Sequence, residues 1–447
     1  MGGEEDPPPM SETTRRNLLT GAVATFAIHS SKSRILGAND RINVAVVGAG
    51  GRGTNHLQEY VKLPDAIVAA VVDVNQTAQE KAVALVKRAT AHEPKVYSDM
   101  REAFQDKGID AVSVATPNHW HVLSTIWAIQ AGKDVYCEKP ASYNIFEGKQ
   151  VVAAARKYQR MVQIGQQSRS TPHTMEAMKR LQDGVIGKLY AAKGLCYKRR
   201  KSIGHKADEP TPPGLNWDLF LGPAPLRPYN ELRFRYNWHW FWDTGNGDIG
   251  NQGVHEMDIA LWGMGVKAFP NSVVSTGGKL LYTDDQETPN TQHAAFDLGN
   301  GRQMEFEVRG LLTTAEGGLK ARGGNVVGDL FFGEDGVMAI DGDGYQVFKG
   351  ESRELVHDVK AERGPSTTGL HMSNFLAAVR SRKHEDLHCD VATGALSAAY
   401  CHLANTSYRT GRKLTVDAQA QTFGADAAAN KMLTRNYRAP YVVPVKV

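Results

Sequence analysis

The hexapeptide Gly48-Ala49-Gly50-Gly51-Arg52-Gly53 closes the apolar run Ile42–Val47 and opens a stretch able to form a helix. Gly48, Gly50 and Gly53 stand in the spacing G-x-G-x-x-G. The spacing is weak alone and informative between a strand and a helix. The first glycine permits a tight turn, the second lets the backbone approach a pyrophosphate, and the third allows close helix–strand packing. The free amides at the helix start, those of Gly51 and Arg52 among them, would face the phosphates. A second apolar strand, Ile67–Val72, ends at Asp73. It lies about twenty residues past the last glycine, where an acid hydrogen-bonds the adenosine ribose. A carboxylate there repels a 2′-phosphate, which favours NAD over NADP. A plain strand–glycine turn with Asp73 as a helix cap is the competing reading, and the combined spacing disfavours it.

Oxidising a carbinol on such a cofactor needs a base for the hydroxyl proton and a cation or donor for the developing alkoxide. Lys139, in Glu138-Lys139-Pro140, follows the short strand Asp134–Cys137. Thr116-Pro117-Asn118 follows another strand, Ala111–Thr116. Both turns lie at carboxyl ends of strands, where open α/β sheets bind ligands. Lys139 fits the cation. His255 fits the base, since an imidazole titrates near neutrality. Asp258 shares its helical face and either orients His255 or substrate, or caps and bonds within the core. The run Tyr236–Trp242 is dense in aromatics, suited to stacking on sugar C–H faces or to packing at a domain junction. Lys198–Lys201 is either an anion site or a solvated face. His119 and His121 have no cysteine or acid cluster nearby, so no metal site is read from them.

These residues need a scaffold. From residue 41 to about 161, strand and helix signals alternate, as a doubly wound parallel sheet requires. After Gln163 the strand signals lengthen and alternate: Leu189–Tyr197, Asn271–Leu281, His293–Leu298, Arg302–Val308 and Val337–Ile340. The expected fold class is α/β: an N-terminal Rossmann sheet followed by an α+β domain with a large, mostly antiparallel sheet. The expected domains are a leader and linker (1–40), a dinucleotide-binding domain (41–162) and a substrate-binding and oligomerisation domain (163–447). The stretch Lys198–Asn237 reads as a long functional loop. Leu370–Arg380 and Val391–Tyr408 read as helices, and the last thirty residues carry little regular signal.

At 447 residues the chain has room for two domains, and its net charge of +4 is too mild to argue for nucleic acid. Cys137, Cys196, Cys389 and Cys401 have no metal-ligand spacing and read as buried thiols. Thr14-Arg15-Arg16-Asn17-Leu18-Leu19 is similar to a twin-arginine export signal. The apolar run Leu18–Ile28 behind it is shorter than the ~20 residues of a membrane span. The expectation is a periplasmic or otherwise exported protein, carried by the twin-arginine translocation machinery with its cofactor already loaded. An uncleaved leader would leave it tethered to the membrane.

Taken together, Gly48–Gly53, Asp73, Thr116-Pro117-Asn118-His119, Glu138-Lys139-Pro140 and Gly253-Val254-His255-Glu256-Met257-Asp258 resemble the Gfo/Idh/MocA oxidoreductases over about residues 41–447. The leader is similar to those of exported, glucose–fructose-oxidoreductase-like members. The resemblance implies a small-molecule carbohydrate substrate and a homodimer or homotetramer. It implies NAD contacts from Gly48, Gly50, Gly51, Arg52, Gly53, Asp73, Thr116, Pro117, Asn118, His119, Glu138 and Lys139. It implies catalysis by Lys139, His255 and the residue at 251. Substrate contacts are expected from Lys139, Gln166, Tyr236, Trp238, Asn251, His255 and Asp258. One departure stands out: the family carries an aspartate four residues before this histidine, and here the residue is Asn251. Asp248 could replace that carboxylate only if the loop shifts. The leading expectation is an NAD-dependent oxidoreductase of sugar, glycoside or polyol hydroxyls. The alternatives are a redox-neutral, NAD-assisted glycosidase or lyase working through a keto-sugar, and a non-catalytic NAD-binding sensor.

Overall fold

The computed structural model describes residues 41–320 and 325–447. The leader, with Arg15, Arg16 and the Leu18–Ile28 run, lies outside the described residues. Six parallel strands form the first sheet: β1 (Ile42–Val47), β2 (Ala66–Val72), β3 (Lys95–Tyr97), β4 (Ala111–Val114), β5 (Asp134–Cys137) and β6 (Val162–Ile164). Their order is β3-β2-β1-β4-β5-β6, the doubly wound Rossmann arrangement. β1 is apolar at nearly every position because helices cover both faces of the sheet. Order reverses between β1 and β4, so the turns after these strands open one crevice.

The second sheet has nine strands: β7 (Leu189–Tyr197), β8 (Ser272–Gly278), β9 (Thr291–Gly299), β10 (Arg302–Arg309), β11 (Val326–Gly333), β12 (Gly336–Asp341), β13 (Gly344–Lys349), β14 (Glu354–Lys360) and β15 (Leu414–Thr415). The order is β14-β13-β12-β11-β7-β10-β9-β8-β15. β7 and β10 pair in parallel, and the other neighbours are antiparallel. One face carries the larger core, with Phe296, Phe306, Phe331 and Met338 packed under the helices Pro172–Gln182, Gly253–Gly263 and Val391–Thr410. The helix Gly253–Gly263 lies close on this sheet: a Cβ on Gly253 would sit 2.8 Å from the Phe306 ring. That approach fixes the height of His255, two residues on.

Four strands of this sheet, β11, β13, β14 and β15, and the helix Pro172–Gln182 escaped the sequence reading, as did the short β3 and β6 of the first sheet, and β8 is shorter than expected. Gly328, Gly333, Gly336 and Gly344 break up the first two strands' apolar runs and the hairpins around them, which hides the alternation. The four cysteines are buried free thiols.

The chain then returns to the first sheet. The helix Thr367–Ser381 lays Met372, Phe375, Leu376 and Val379 against the face formed by Ile42, Val44 and Val46. The last residues also pack. Tyr441 meets Trp120 edge-on, ring centres 5.4 Å apart, and Tyr441 and Val443 join the core on the opposite face. Aromatics spaced along an irregular tail bury area without any periodic signature.

Candidate active site

The glycine turn follows from sterics. Gly48 has φ +84°, and a Cβ there would lie 2.8 Å from the Ala115 carbonyl oxygen. A Cβ on Gly53 would lie 1.7 Å from the Gly48 carbonyl oxygen. These two glycines therefore serve the protein's own packing. Gly50 and Gly51 differ: nothing lies within 4 Å of a Cβ built on either. Their open side faces a cavity of about 1070 Å³. Gly48, Gly50, Gly51, Arg52, Asp73, Thr116, Pro117, Asn118, Glu138, Lys139, Tyr236, Trp238, Asn251 and His255 all line it. Asp73 holds the turn by accepting hydrogen bonds from the amides of Ala49 (2.7 Å) and Asn75 (2.8 Å). Burial raises its pKa, while these amides act in the opposite direction.

The structure relocates three expected residues. His119 sits behind the cavity wall, its ring nitrogens beside the carbonyls of Thr244 and Phe220 at 3.3 and 3.0 Å. Gln166 is turned away, donating to the Val254 carbonyl at 3.2 Å. Its neighbour Gln167 lines the cavity instead. Asp258 neither orients His255 nor reaches the cavity. Its carboxylate is gripped by Arg169 at 2.6 and 3.0 Å and by the Ser397 hydroxyl at 2.5 Å. A three-residue spacing places two side chains on one helical face, but this buried guanidinium captures the carboxylate first.

Glu138 is the charged hub. Oε1 accepts from Arg52 Nε (2.8 Å) and Gln167 Nε2 (3.0 Å), and His56 Nε2 lies 2.9 Å away. Burial opposes ionisation, yet Arg52, His56 and Lys139 together hold the carboxyl well below the usual range. Glu138 thus ties the arginine of the glycine turn to the strand end that presents Lys139. Lys139 Nζ donates to the Asn251 carbonyl (2.9 Å) and to Asn251 Oδ1 (3.2 Å). Burial lowers the lysine pKa, with the Glu138 charge acting against it. His255 makes no hydrogen bond through its ring among the described residues. Burial, reinforced by the Lys139 charge, pushes its pKa down to about 3. The imidazole is therefore neutral at neutral pH.

Asp248 does not stand in for the missing carboxylate. Arg200 clamps it bidentately at 2.9 and 2.8 Å. The basic run divides: Arg200 pairs inward and Lys198 Nζ reaches Gln252 Oε1 at 3.1 Å, while Arg199 and Lys201 are exposed.

Sequence reasoning missed one part of the site. Thr367 and Thr368, at the start of a helix capped by Ser366, line the cavity opposite the glycine turn. Arg52 Nη2 reaches Thr368 Oγ1 at 3.2 Å. The Ser-Thr-Thr-Gly cap was a usable signal for a helix start, but not for its destination. The long loop expected over Lys198–Asn237 is a strap that runs on to residue 246. It bonds to the first domain beside Asp73, with Gln76 N to Gly214 O and Asn216 N to Val74 O, both 2.8 Å. It then places Leu219, Phe220, Phe234, Arg235, Tyr236, Trp238 and His239 along the cavity. The aromatic run divides: Tyr236 and Trp238 line the cavity, whereas Trp240 and Phe241 are buried. The C-terminal tail pins this strap. Arg438 donates to the Gly222 carbonyl (2.9 Å) and to Asp218 Oδ1 (2.6 Å), and Arg435 to the Asp243 carbonyl (2.8 Å).

A Rossmann crevice faced by a mixed sheet, with a lysine and a histidine both lining it, is the arrangement of a class of nicotinamide oxidoreductases. Sequence profiles agree. Residues 42–166 match the Gfo/Idh/MocA oxidoreductase family, NAD-binding Rossmann fold, and residues 188–273 and 333–443 match that family's C-terminal alpha/beta domain. The chain belongs to the Gfo/Idh/MocA oxidoreductase family, and its cofactor is NAD. Levoglucosan dehydrogenase of Pseudarthrobacter phenanthrenivorans is 28% identical over 239 residues, 53% of this chain and 54% of the relative. An inositol 2-dehydrogenase/D-chiro-inositol 3-dehydrogenase of Shouchella clausii is 32% identical over 148 residues, 33% of this chain and 42% of the relative. A glycosyl hydrolase family 109 protein of Saccharopolyspora erythraea is 29% identical, covering 44% of this chain and 45% of the relative. The chain thus matches about half or less of the length of these curated relatives. The solved structure of levoglucosan dehydrogenase with NADH and levoglucosan superposes with a TM-score of 0.64 at 19% identity, covering 85% of this chain and 100% of that one. At that identity it shows the shared fold.

Proposed function

We propose that this protein is an NAD-dependent oxidoreductase that moves a hydride between a nicotinamide and a hydroxyl-bearing carbon of a sugar, glycoside or polyol. One observation carries the reading: the open side of Gly50, the Asp73 carboxylate, Lys139 and the unengaged His255 ring all border a single cavity. The names of the relatives, acting on levoglucosan and inositol, support the substrate class.

When bound, NAD supplies the hydride acceptor. The amides of Gly50–Arg52 would hold its phosphates, and Asp73 the adenosine ribose. The remaining chemistry falls to this chain's side chains. Neutral His255 accepts the hydroxyl proton. The Lys139 ammonium stabilises the oxygen as it gains negative charge. Asn251 holds that ammonium through two acceptors, so it arrives oriented. Trp238 offers an aromatic face to the sugar's C–H surface.

The strap supports a cofactor that is retained between turnovers, because it adds Leu219, Phe220, Phe234 and Trp238 to the cavity wall. A cofactor that stays bound would need re-oxidation in place, by a second substrate or by return of the hydride to the same sugar. The second course is the redox-neutral glycosidase or lyase reading, which the family 109 relatives support. Incubating the NAD-loaded protein with sugars and glycosides separates the two. Lasting absorbance near 340 nm means oxidation awaiting a second substrate. Product release without it means a redox-neutral cycle.

Export by the twin-arginine route to the periplasm, and assembly as a homodimer or homotetramer, complete the proposal. Export rests on Arg15, Arg16 and Leu18–Ile28. Replacing both arginines by lysine and fractionating cells tests it, with retention in the cytoplasm the expected result.

A further inference from the structure

Asn251 engages both the oxygen and the two amide hydrogens of its side chain. Oδ1 accepts from Lys139 Nζ at 3.2 Å. Nδ2 donates one hydrogen to Tyr236 Oη at 2.9 Å and the other to Asp248 Oδ1 at 3.1 Å. This orientation is the favourable one. Turned over, the amide would set its oxygen against the Asp248 carboxylate and its NH₂ against the ammonium. Asp248 cannot drift, because Arg200 holds both its oxygens.

The consequence falls on Tyr236. Its phenol oxygen already accepts a hydrogen bond from Asn251, and its own hydrogen has no acceptor among the described residues. The side chain is half exposed and lines the cavity. The His239 ring lies 4.6 Å and the Trp240 ring 5.9 Å from it, and the Arg200 guanidinium carbon 5.6 Å above it. The ring is thus braced by three neighbours, and its hydroxyl hydrogen is left to the cavity. A donor held in place before the substrate arrives costs little reorganisation in the reaction.

We infer that Tyr236 is a further catalytic residue, donating its phenolic hydrogen to the reacting oxygen alongside Lys139, and that Asn251 is its positioning residue. This rests on the oxidoreductase reading above. In the oxidation, the carbinol O–H bond breaks and its proton passes to the His255 ring. The C–H hydrogen leaves with its electron pair for the nicotinamide. The oxygen, now the carbonyl oxygen, is held by the Tyr236 hydroxyl and the Lys139 ammonium. Neither donor is consumed, so atoms and electrons balance.

The inference also explains why position 251 is an amide. An aspartate would keep the Lys139 contact but could donate to neither Tyr236 nor Asp248. It would instead face the Asp248 carboxylate at hydrogen-bonding distance.

Tyr236→Phe tests the donor. Single-turnover reduction of the bound NAD should fall about 10²-fold, the cost of losing one such donor, with NAD content unchanged and half-saturating sugar little altered. Replacing Tyr236 by trifluorotyrosine should move a loss of rate to lower pH, because the more acidic phenol gives up its hydrogen sooner. A purely structural ring would not do this. Asn251→Asp should lower the melting temperature at neutral pH, because the new carboxylate would face that of Asp248 at hydrogen-bonding distance, a result independent of turnover. Parent-like turnover in Tyr236→Phe, an unmoved pH limb in the fluorinated protein, or Asn251→Asp melting and reacting like the parent would each overturn the inference. A parent protein that reduces its NAD with no sugar or polyol overturns the oxidoreductase reading itself. A parent that turns over while Tyr236→Phe does so equally well overturns this role alone.

Discussion

Lys139 Nζ lies 2.9 Å from the carbonyl oxygen of Asn251 and 3.2 Å from its side-chain oxygen, joining the end of β5 to the helix start that carries His255. This contact joins the first sheet to the short helix Gly247–Asn251, and both residues line the cavity. The ammonium meets two neutral acceptors here rather than a carboxylate. More of its charge is therefore available to a substrate oxygen.

Lys139→Ala removes that charge. The expected loss of turnover is about 10²–10³-fold, as for deletion of a transition-state donor. Bound NAD, held mainly by backbone amides and Asp73, should stay near parent stoichiometry. Steady-state kinetics and cofactor release on denaturation check both halves.

The pH dependence follows from two lowered pKa values. His255 must be neutral to take a proton, and its pKa lies at about 3. The rate should therefore show no acid limb near 6.5, the ordinary histidine value. Lys139 must be charged, and its pKa is also lowered. The alkaline limb should therefore fall below the ordinary lysine range of about 10.4. A kcat/KM profile measured across pH 5–10 reads both signs.

Gly50 and Gly53 should part company. Gly53→Ala forces a methyl into the Gly48 carbonyl at 1.7 Å, so the melting temperature and NAD content should both drop. Gly50→Ala meets no protein atom within 4 Å. The NAD-free protein should melt as the parent does and bind NAD more weakly. Thermal scans with and without NAD distinguish the two.

Arg438 holds the strap from a segment far from the chemistry. Arg438→Ala should speed NAD release, about tenfold if it loosens the closed strap by 1.4 kcal/mol, without altering the chemical step. Stopped-flow displacement of bound NADH measures the release rate.

Much of this was legible in the residues. The glycine spacing, Asp73 and the strand ends at Thr116 and Glu138 located the crevice, because each has a local steric or electrostatic reason. What stayed hidden was set by distant partners. Asp258 reads as a site residue until Arg169 and Ser397 claim it. His119 reads as a cofactor contact until two carbonyls of the strap region take its ring. Tyr236 reads as a stacking surface, and only the Asn251 amide turns its hydroxyl into a donor. The strap and tail have no periodicity, since their order comes from aromatic packing and capped carbonyls. β11 and β13 lie among glycines that interrupt alternation.

The most direct test of the account is made on protein purified without added cofactor. NAD(H) released on denaturation is quantified, and absorbance near 340 nm is followed as sugars, glycosides and polyols are added. The account predicts near-stoichiometric NAD and reduction by at least one such substrate in the parent, with reduction lost in Lys139→Ala. Protein that neither carries nor takes up NAD, or that reduces it equally well without Lys139, would contradict it.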